Sequence, residues 1–390
     1  MKKIAVVTTT RAEYGLLRPV IVELRKYENE LLKIDLLVSG THLSEQYGMT
    51  IREIQKDGLR IDGQIPVSLN TTSPLDISKN QADTLVEFTR IFEQESYSAV
   101  VILGDRYEML AVAIAAVNTR TPIFHISGGD ITEGAIDESI RHSITKMSFI
   151  HFPTNEESRK RVIQLGESPD RVFNYGSTSI DNIKNLPLLS KEDAMKSVGC
   201  TNKRYAICTY HPVTLEKNNA EMMMQDFFSA IGAFPEIDYI ITKSNADQGG
   251  AMINEILDRK AKELKNVYVF PSLGVLRYLS LIKYCQFVLG NSSSGIIEVP
   301  VFGVPTVNIG DRQKGRLRSE SIIDCKSDRK SIIEAIHIAL SDDFSKMCKS
   351  VVSPFGDGTA AVKIAAKCIQ TVNKGIDLKK KFYDFLVVNG

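Results

Sequence analysis

The chain has 390 residues, of which 43% are hydrophobic and 24% charged, and its formal net charge is +1. This length exceeds one typical hydrophobic core and predicts two domains. The balanced charge argues against a nucleic-acid-binding surface, and no apolar run approaches the ~20 residues of a membrane span. The six cysteines form no C-x-x-C pair, which argues against a disulfide framework or a zinc site. The apolar stretch after the first residues is too short for a signal-peptide core, so we expect a cytoplasmic protein.

Predicted strands, polar turns and helices alternate through the first half of the chain. β-branched and aliphatic runs predict strands at residues 4–8, 34–38, 99–103 and 123–126. Stretches of helical period predict helices at residues 16–27, 77–95, 108–118 and 155–165. Such alternation is typical of a parallel sheet with helices on both faces, in which ligands bind at the carboxyl ends of the strands.

A second series of the same kind begins near residue 205. Its predicted strands cover residues 205–209, 239–242, 267–270, 287–289 and 306–309. Residues 177–198 are the expected linker, residues 359–370 are helical, and the Lys-rich end with Phe382, Tyr383 and Phe385 predicts a terminal helix. We therefore predict an α/β protein with two Rossmann-like, doubly wound domains facing a central cleft that holds the ligand.

A serine-rich turn follows the predicted strand at residues 287–289. The segment Gly290-Asn291-Ser292-Ser293-Ser294-Gly295 leads into a predicted helix whose first turn contains Glu298. Unpaired backbone N–H groups at a helix start, serine hydroxyls and glycine suit a phosphate, and a carboxylate suits a ribose diol. The turn therefore favours a nucleotide site, although serine is also an ordinary helix N-cap.

The densest group of titratable residues lies between positions 125 and 142. It comprises His125, Asp130, Glu133, Asp137, Glu138, Arg141 and His142. In a helix, Asp137 and Arg141 are neighbours four residues apart. We expect Gly128 and Gly129 to open space beside His125, so that carboxylates gathered there could act as a general acid or base. The alternative is an exposed, capped helix.

Other charged residues follow predicted strands directly. Asp105 and Arg106 could serve base and phosphate roles, or form a surface salt bridge. Arg11 and Arg312 occupy matching strand ends of the two halves, where phosphate clamps are expected. His211 also ends a strand, where a histidine is either structural or ligand-binding.

Several of these segments together resemble the hydrolysing UDP-N-acetylglucosamine (UDP-GlcNAc) 2-epimerases, which supply N-acetylmannosamine for sialic acid synthesis. The resemblance covers essentially the whole chain. The matching segments are Arg11 to Gly15, Gly104 to Glu108, Ile136 to Glu138 with Arg141 to Lys146, Gly290 to Gly295 with Glu298, and Gly310 to Gln313. It implies a glycosyltransferase-B-like fold, a homodimer, and a UDP-sugar substrate without a cofactor or metal ion. The implied domains are residues 1–180 with the catalytic carboxylates, 181–365 with the UDP site, and a C-terminal helix at 366–390 returning to the first domain.

The resemblance also implies roles for individual residues. Asp105 and Asp137 match the family's catalytic carboxylates, and Glu298 matches the ribose ligand. The residues beside the carboxylates are Arg106, Arg141 and His142, and those that hold the diphosphate are Arg11, His211, Ser292, Ser293 and Arg312. The implied reaction removes the C2 proton as UDP leaves C1, and the resulting glycal is then hydrated.

The chain departs from the family pattern at Ser127. Many relatives carry a catalytic Glu two residues after the strand histidine, whereas serine cannot act as a carboxylate. Either His125, Asp130 or Glu133 takes that role, or the sugar pocket has changed. The substrate is then UDP-GlcNAc or a UDP-2,4-diacetamido-2,4,6-trideoxy sugar of the legionaminic acid type.

Three other functions are compatible with a UDP-sugar site on this fold. A glycosyltransferase would be nearly inert without an acceptor. A non-hydrolysing epimerase would keep the nucleotide on its product. A nucleotide-sugar sensor would bind without turnover, but carboxylates near the site argue against it because they repel a diphosphate.

Overall fold

The chain folds into two compact units. A computed structural model describes residues 1–132, 136–200, 204–211, 220–244 and 250–384. The first unit comprises Met1–Asp130, Asp137–Asn182 and Phe355–Gly390, and the second comprises Ile131–Ile136 and Ile183–Pro354. The domain limits expected from the sequence stay a prediction.

The first unit contains a six-stranded sheet in which every pair of neighbours is parallel. Its order is β3-β2-β1-β4-β5-β6. The strands are β1 (Lys2–Thr8), β2 (Leu32–Ser39), β3 (Gly63–Ile65), β4 (Ala99–Leu103), β5 (Ile123–Ile126) and β6 (Ile150–Phe152). The order reverses between β1 and β4, which is where ligands bind in sheets of this type.

Helices cover both faces of this sheet. In chain order they are α1 (Arg11–Arg25), α2 (Ile51–Lys56), α3 (Pro74–Glu95), α4 (Tyr107–Asn118), α5 (Asp137–Met147), α6 (Glu156–Gln164) and α7 (Thr178–Asn185). Because strand side chains alternate between faces, Ile4 and Val6 join one hydrophobic core, and Ala5 and Val7 join another. This confirms the prediction of a doubly wound sheet.

The second unit repeats the design. Its parallel sheet has the order β12-β11-β10-β7-β8-β9, which reverses between β10 and β7. The strands are β7 (Tyr205–Thr209), β8 (Asp238–Thr242), β9 (Val267–Phe270), β10 (Val288–Gly290), β11 (Thr306–Ile309) and β12 (Ile322–Cys325). The helices are α8 (Lys191–Lys196), α9 (Ala220–Ile231), α10 (Gly250–Glu263), α11 (Gly274–Ile282), α12 (Ser293–Ile297), α13 (Arg329–Leu340) and α14 (Asp342–Cys348).

The end of the chain belongs to the first unit. Helix α15 (Ala360–Lys374) packs against α1, and Gly375 ends it with a φ of +88°. The predicted terminal helix is wrong for residues 375–384, which contain no helix, and Phe385 lies outside the described residues. Lys380 instead donates to the buried carboxylate of Glu167, and the Tyr383 amide donates to the Gly166 carbonyl at 2.9 Å. These contacts hold the end of the chain on the first unit.

Candidate active site

In the first unit, the turn between β1 and α1 brings Arg11 to the carboxyl edge of the sheet. Thr10 caps α1, and Glu13 accepts hydrogen bonds from the Thr9 and Thr10 amides at 2.8 and 3.1 Å, which completes a capping box. The Arg11 side chain is half-buried, and it makes no hydrogen bond or salt bridge to any residue within the described ranges. Its guanidinium donors are therefore available to an anionic ligand.

Glu13 is a buried acid in this turn. One carboxylate oxygen, Oε2, accepts from Thr9 and Thr10, while Oε1 is buried without a hydrogen-bond partner. Burial and then the negative charge of Glu108 raise the pKa of Glu13 to about 7. The sequence motif contained Glu13, but sequence reasoning assigned it no role.

At the adjacent strand end, Asp105 forms an ion pair with Arg141. The Nε of Arg141 donates to Oδ2 of Asp105 at 2.7 Å, and Nη2 donates to the same oxygen. Arg141 is 1% exposed, and its Nη1 donates to the Asp130 carbonyl at 2.7 Å. The guanidinium thus turns toward Asp105, and the charge of Asp137, its predicted i,i+4 neighbour, also favours the protonated guanidinium. The pair fixes one carboxylate in position at the ligand edge.

His125 is completely buried below this carboxylate. Its Nε2 lies 2.8 Å from the carbonyl oxygen of Gly104, the residue before Asp105, and its Nδ1 has no hydrogen-bond partner. Burial lowers the pKa of His125 to about 4, so the ring is neutral and Nε2 donates the proton. This geometry favours a positioning role for His125 over direct contact with a substrate.

The glycine pair after β5 permits close packing, so the expectation that it opens space is wrong. A Cβ on Gly128 would lie 3.0 Å from the His125 ring, and one on Gly129 would lie 2.3 Å from the Ser158 carbonyl. The preceding residue, Ser127, has a φ of +67°, a conformation that non-glycine residues rarely adopt. The chain therefore makes a tight, close-packed turn at the position where the resemblance implies a Glu.

Two of the three candidates to replace that Glu can be placed. Asp130 is 8% exposed, and its Oδ1 accepts from the Ser158 hydroxyl at 2.6 Å, which holds the side chain in the interior. His125 is buried as described. Glu133 lies outside the described residues.

The remaining predicted residues of the first unit lie at the same edge or beside it. Arg106 begins the turn into α4, and its Nε lies 3.2 Å from Oε2 of the buried Glu108. Asp137 begins α5 and is half-buried. His142 is also half-buried, and burial and the charge of Arg141 lower its pKa. The unit thus brings together an ion-paired carboxylate, additional arginines and a neutral imidazole.

In the second unit, Asn291 connects three strand ends. Its side chain accepts from the His211 amide at 2.7 Å and donates to the His211 carbonyl at 2.8 Å. The Asn291 carbonyl accepts from Arg312 at 3.0 Å and from Gln313 at 2.9 Å. Gly290 allows this approach, because a Cβ there would lie 2.0 Å from the Thr209 carbonyl oxygen. Asn291 and Gln313 are positioning residues that sequence reasoning missed, since their partners are distant in the chain.

The serine turn differs from its prediction in one respect. Helix α12 has only five residues, and Glu298 caps its end instead of lying in its first turn. Ser292 is the N-cap, with its hydroxyl 3.4 Å from the Ser294 amide. An extended helix dipole is therefore absent here, and the donors for an anion are the hydroxyls and amides of the turn itself.

His211 and Arg312 lie on either side of this turn. His211 is 6% exposed, and its Nδ1 lies 3.3 Å from the Ser244 hydroxyl. Arg312 is half-buried and fixed by its bond to Asn291. Together with Ser292, Ser293 and Glu298, they provide cationic and hydroxyl donors for a phosphate and a carboxylate for a diol.

Comparison with known proteins identifies the family. A family model described as UDP-N-acetylglucosamine 2-epimerase matches residues 25–368, which is most of the chain. The chain belongs to this enzyme family. The resemblance drawn from the motifs is therefore confirmed.

Individual relatives agree with this assignment. The chain is 41% identical to the polysialic acid biosynthesis protein P7 of Escherichia coli over 98% of each chain. It is 40% identical to the GDP/UDP-N,N'-diacetylbacillosamine 2-epimerase (hydrolyzing) of Campylobacter jejuni, over 98% of this chain and 99% of the relative. A crystal structure of UDP-GlcNAc 2-epimerase from Neisseria meningitidis bound to UDP-GlcNAc matches with a TM-score of 0.81, 17% identity, and coverage of 95% of this chain and 100% of that one. That likeness confirms the glycosyltransferase-B-like fold.

The described residues contain neither a metal site nor a membrane-spanning helix. Within those ranges, no group of three or more His, Cys, Asp or Glu side chains is arranged to hold a metal ion. None of the helices described is both long and apolar enough to cross a membrane.

Proposed function

We propose that the protein is a hydrolysing 2-epimerase that converts UDP-GlcNAc and water to N-acetylmannosamine and UDP. The Asp105–Arg141 pair carries the proposal, because it places a fixed carboxylate at a strand end within Gly104 to Glu108, one of the segments that carry the resemblance. The relative from Campylobacter jejuni that is named as hydrolysing, at 40% identity, supports the hydrolytic outcome.

The proposed reaction has two balanced steps. A carboxylate, Asp105 or Asp137, takes the C2 proton, the C2–H electrons form the C1–C2 double bond, and the C1–O bond breaks as UDP leaves with its electron pair. Water then adds its oxygen to C1 of the glycal while C2 is protonated from the opposite face. This inverts C2 and releases the free sugar.

The leaving diphosphate needs cations and hydrogen-bond donors. We assign these to Arg11 in the first unit and to a second set whose members are His211, Ser292, Ser293 and Arg312. Glu298 accepts from the ribose. Arg106 and His142 lie beside the carboxylates and are assigned to substrate binding. Among the three substitutes for the family Glu, the buried His125 and the interior Asp130 are positioning residues in this proposal, which leaves the role to Glu133.

A second substrate is supported by two observations. Ser127 stands where the resemblance implies a carboxylate, and the relative at 40% identity is named for N,N'-diacetylbacillosamine, a 2,4-diacetamido sugar. The alternative is therefore hydrolysing 2-epimerisation of UDP-2,4-diacetamido-2,4,6-trideoxyglucose.

Proton NMR in D2O, without an acceptor, tests both substrates. UDP-GlcNAc should give free UDP and N-acetylmannosamine with deuterium at C2. Reaction of only the diacetamido substrate would select the alternative, and UDP-N-acetylmannosamine as product would contradict hydrolysis. Inertness of both would favour a glycosyltransferase. We also propose a homodimer, which light scattering would test.

A further inference from the structure

A chain of hydroxyl groups connects α11 to the proposed ribose ligand. The Tyr278 hydroxyl donates to Oγ of Ser294 at 3.0 Å. The same Oγ donates to Oε2 of Glu298. Both hydrogen bonds run in one direction, from the tyrosine toward the carboxylate.

The Glu298 carboxylate depends on this chain for its orientation. Glu298 caps the end of α12, where the chain passes into a 3-10 turn at Val299–Phe302. Burial raises its pKa, whereas the hydrogen bond from Ser294 favours the ionised form. Among the described residues, none donates to its other oxygen, Oε1. One oxygen is thus fixed and the other can accept from a ligand.

The tyrosine determines which way the serine hydroxyl points. A serine hydroxyl rotates freely and is both a donor and an acceptor. When Tyr278 donates to its oxygen, the serine proton is left to point at Glu298, and hydrogen bonds in such a chain strengthen one another.

We propose that Tyr278 is a positioning residue for ribose recognition, acting through Ser294 to hold the Glu298 carboxylate so that Oε1 accepts from the ribose hydroxyls. The inference rests on the proposed function, because it takes UDP as the ligand. Tyr278, which lies outside the serine turn, would thus be a further residue that determines the specificity of that site.

The test compares the affinities of UDP and 2',3'-dideoxy-UDP by isothermal titration calorimetry. Tyr278→Phe keeps the ring and removes the hydroxyl, so it should lower the wild-type preference for UDP about threefold to tenfold. Tyr284→Phe is the matched control, because its hydroxyl binds the Leu189 carbonyl at 3.4 Å, away from Ser294. The control should keep the wild-type preference.

Ser294→Ala breaks the same chain of hydroxyl groups at its second member. It also provides a second test if Tyr278→Phe does not fold. It should lose the same preference, and the double variant should lose no more than either one. Equal weakening of both ligands in Tyr278→Phe, or no weakening, would overturn the inference. Wild-type protein that binds UDP without preferring its ribose would overturn only the inference, whereas failure to bind UDP would overturn the proposed function as well.

Discussion

Glu13 should destabilise the folded protein at neutral pH, so Glu13→Gln is expected to stabilise it. Its pKa is raised from 4.5 to about 7 by burial and by Glu108. At ~1.36 kcal/mol per pKa unit, the ionised form costs about 3 kcal/mol of folding free energy. Glutamine keeps an oxygen that can accept from Thr9 and Thr10 but carries no charge, and the raised pKa of Glu13 already includes the hydrogen bonds from Thr9. The expected gain at pH 8 is therefore about 3 kcal/mol.

The sign of the pH dependence makes this prediction specific. Between pH 4.5 and about 7 the folded protein holds a proton on Glu13 that the unfolded chain has lost. Stability should therefore fall as pH rises through this range and level off above it. In Glu13→Gln this slope should disappear, so the variant and the wild type should converge near pH 4.5.

Hydrogen exchange of the β1 and α1 amides measures this locally, which suits a protein of two units that need not unfold in one step. Glu30→Gln removes the same charge from an exposed site and serves as the control. A Glu13→Gln variant that is less stable than wild type at pH 8, or that keeps the wild-type slope, would refute the reasoning.

Three further changes should have measurable effects. Arg141→Lys loses the two-point contact with Asp105, so UDP release from UDP-GlcNAc should slow at least about 100-fold; unchanged turnover would contradict a role for the pair. Glu167→Gln removes a buried carboxylate whose pKa is lowered to about 2 by His151 and two lysines. Ionised Glu167 should therefore contribute up to about 3 kcal/mol to the free energy of unfolding of the wild type above pH 4.5. The wild type should lose this contribution as pH falls toward 2, whereas the variant has none to lose. Limited trypsin digestion of that variant at pH 8 should cut residues 379–381 faster, and an unchanged rate would argue against anchoring of the tail. Asn291→Ala removes the hydrogen bonds to the His211 backbone and should weaken UDP binding, measured by calorimetry, about tenfold. An unchanged affinity would show that the UDP site keeps its geometry without the Asn291 side chain.

The regular elements were predictable where the signal was local. A continuous aliphatic run at residues 99–103 indicated β4 with its bounds, because a fully buried parallel strand needs apolar side chains on both faces. Strands β3, β6 and β12 were missed, because β3 (Gly63–Ile65) and β6 (Ile150–Phe152) have three residues each and β12 (Ile322–Cys325) mixes polar and apolar ones. The tail was misread because Phe382 packs on Gly166 instead of lying on a helical stripe.

The candidate site was predictable in its residue types but not in its pairings. The motifs placed Asp105 and Arg141 in one site, yet local spacing assigned Arg141 to Asp137. The pairing with Asp105 joins residues 36 apart in the chain and depends on how α5 packs against α4 and β5. For the same reason, no local pattern indicated that Asn291 would bind the backbone of His211, 80 residues away.

The return of the chain to its starting unit has a consequence for synthesis. The core around Leu17 and Val20 is completed by Ile364 and Cys368 of α15, almost the whole length of the chain later. A ribosome releases the chain from its N-terminus onward, and domains generally fold as units as they emerge. The second unit, complete at Pro354, can therefore fold on the ribosome while the first still lacks one wall of its core. We expect the unit that begins first to finish last, and premature termination before α15 to leave apolar faces of α1 open to aggregation.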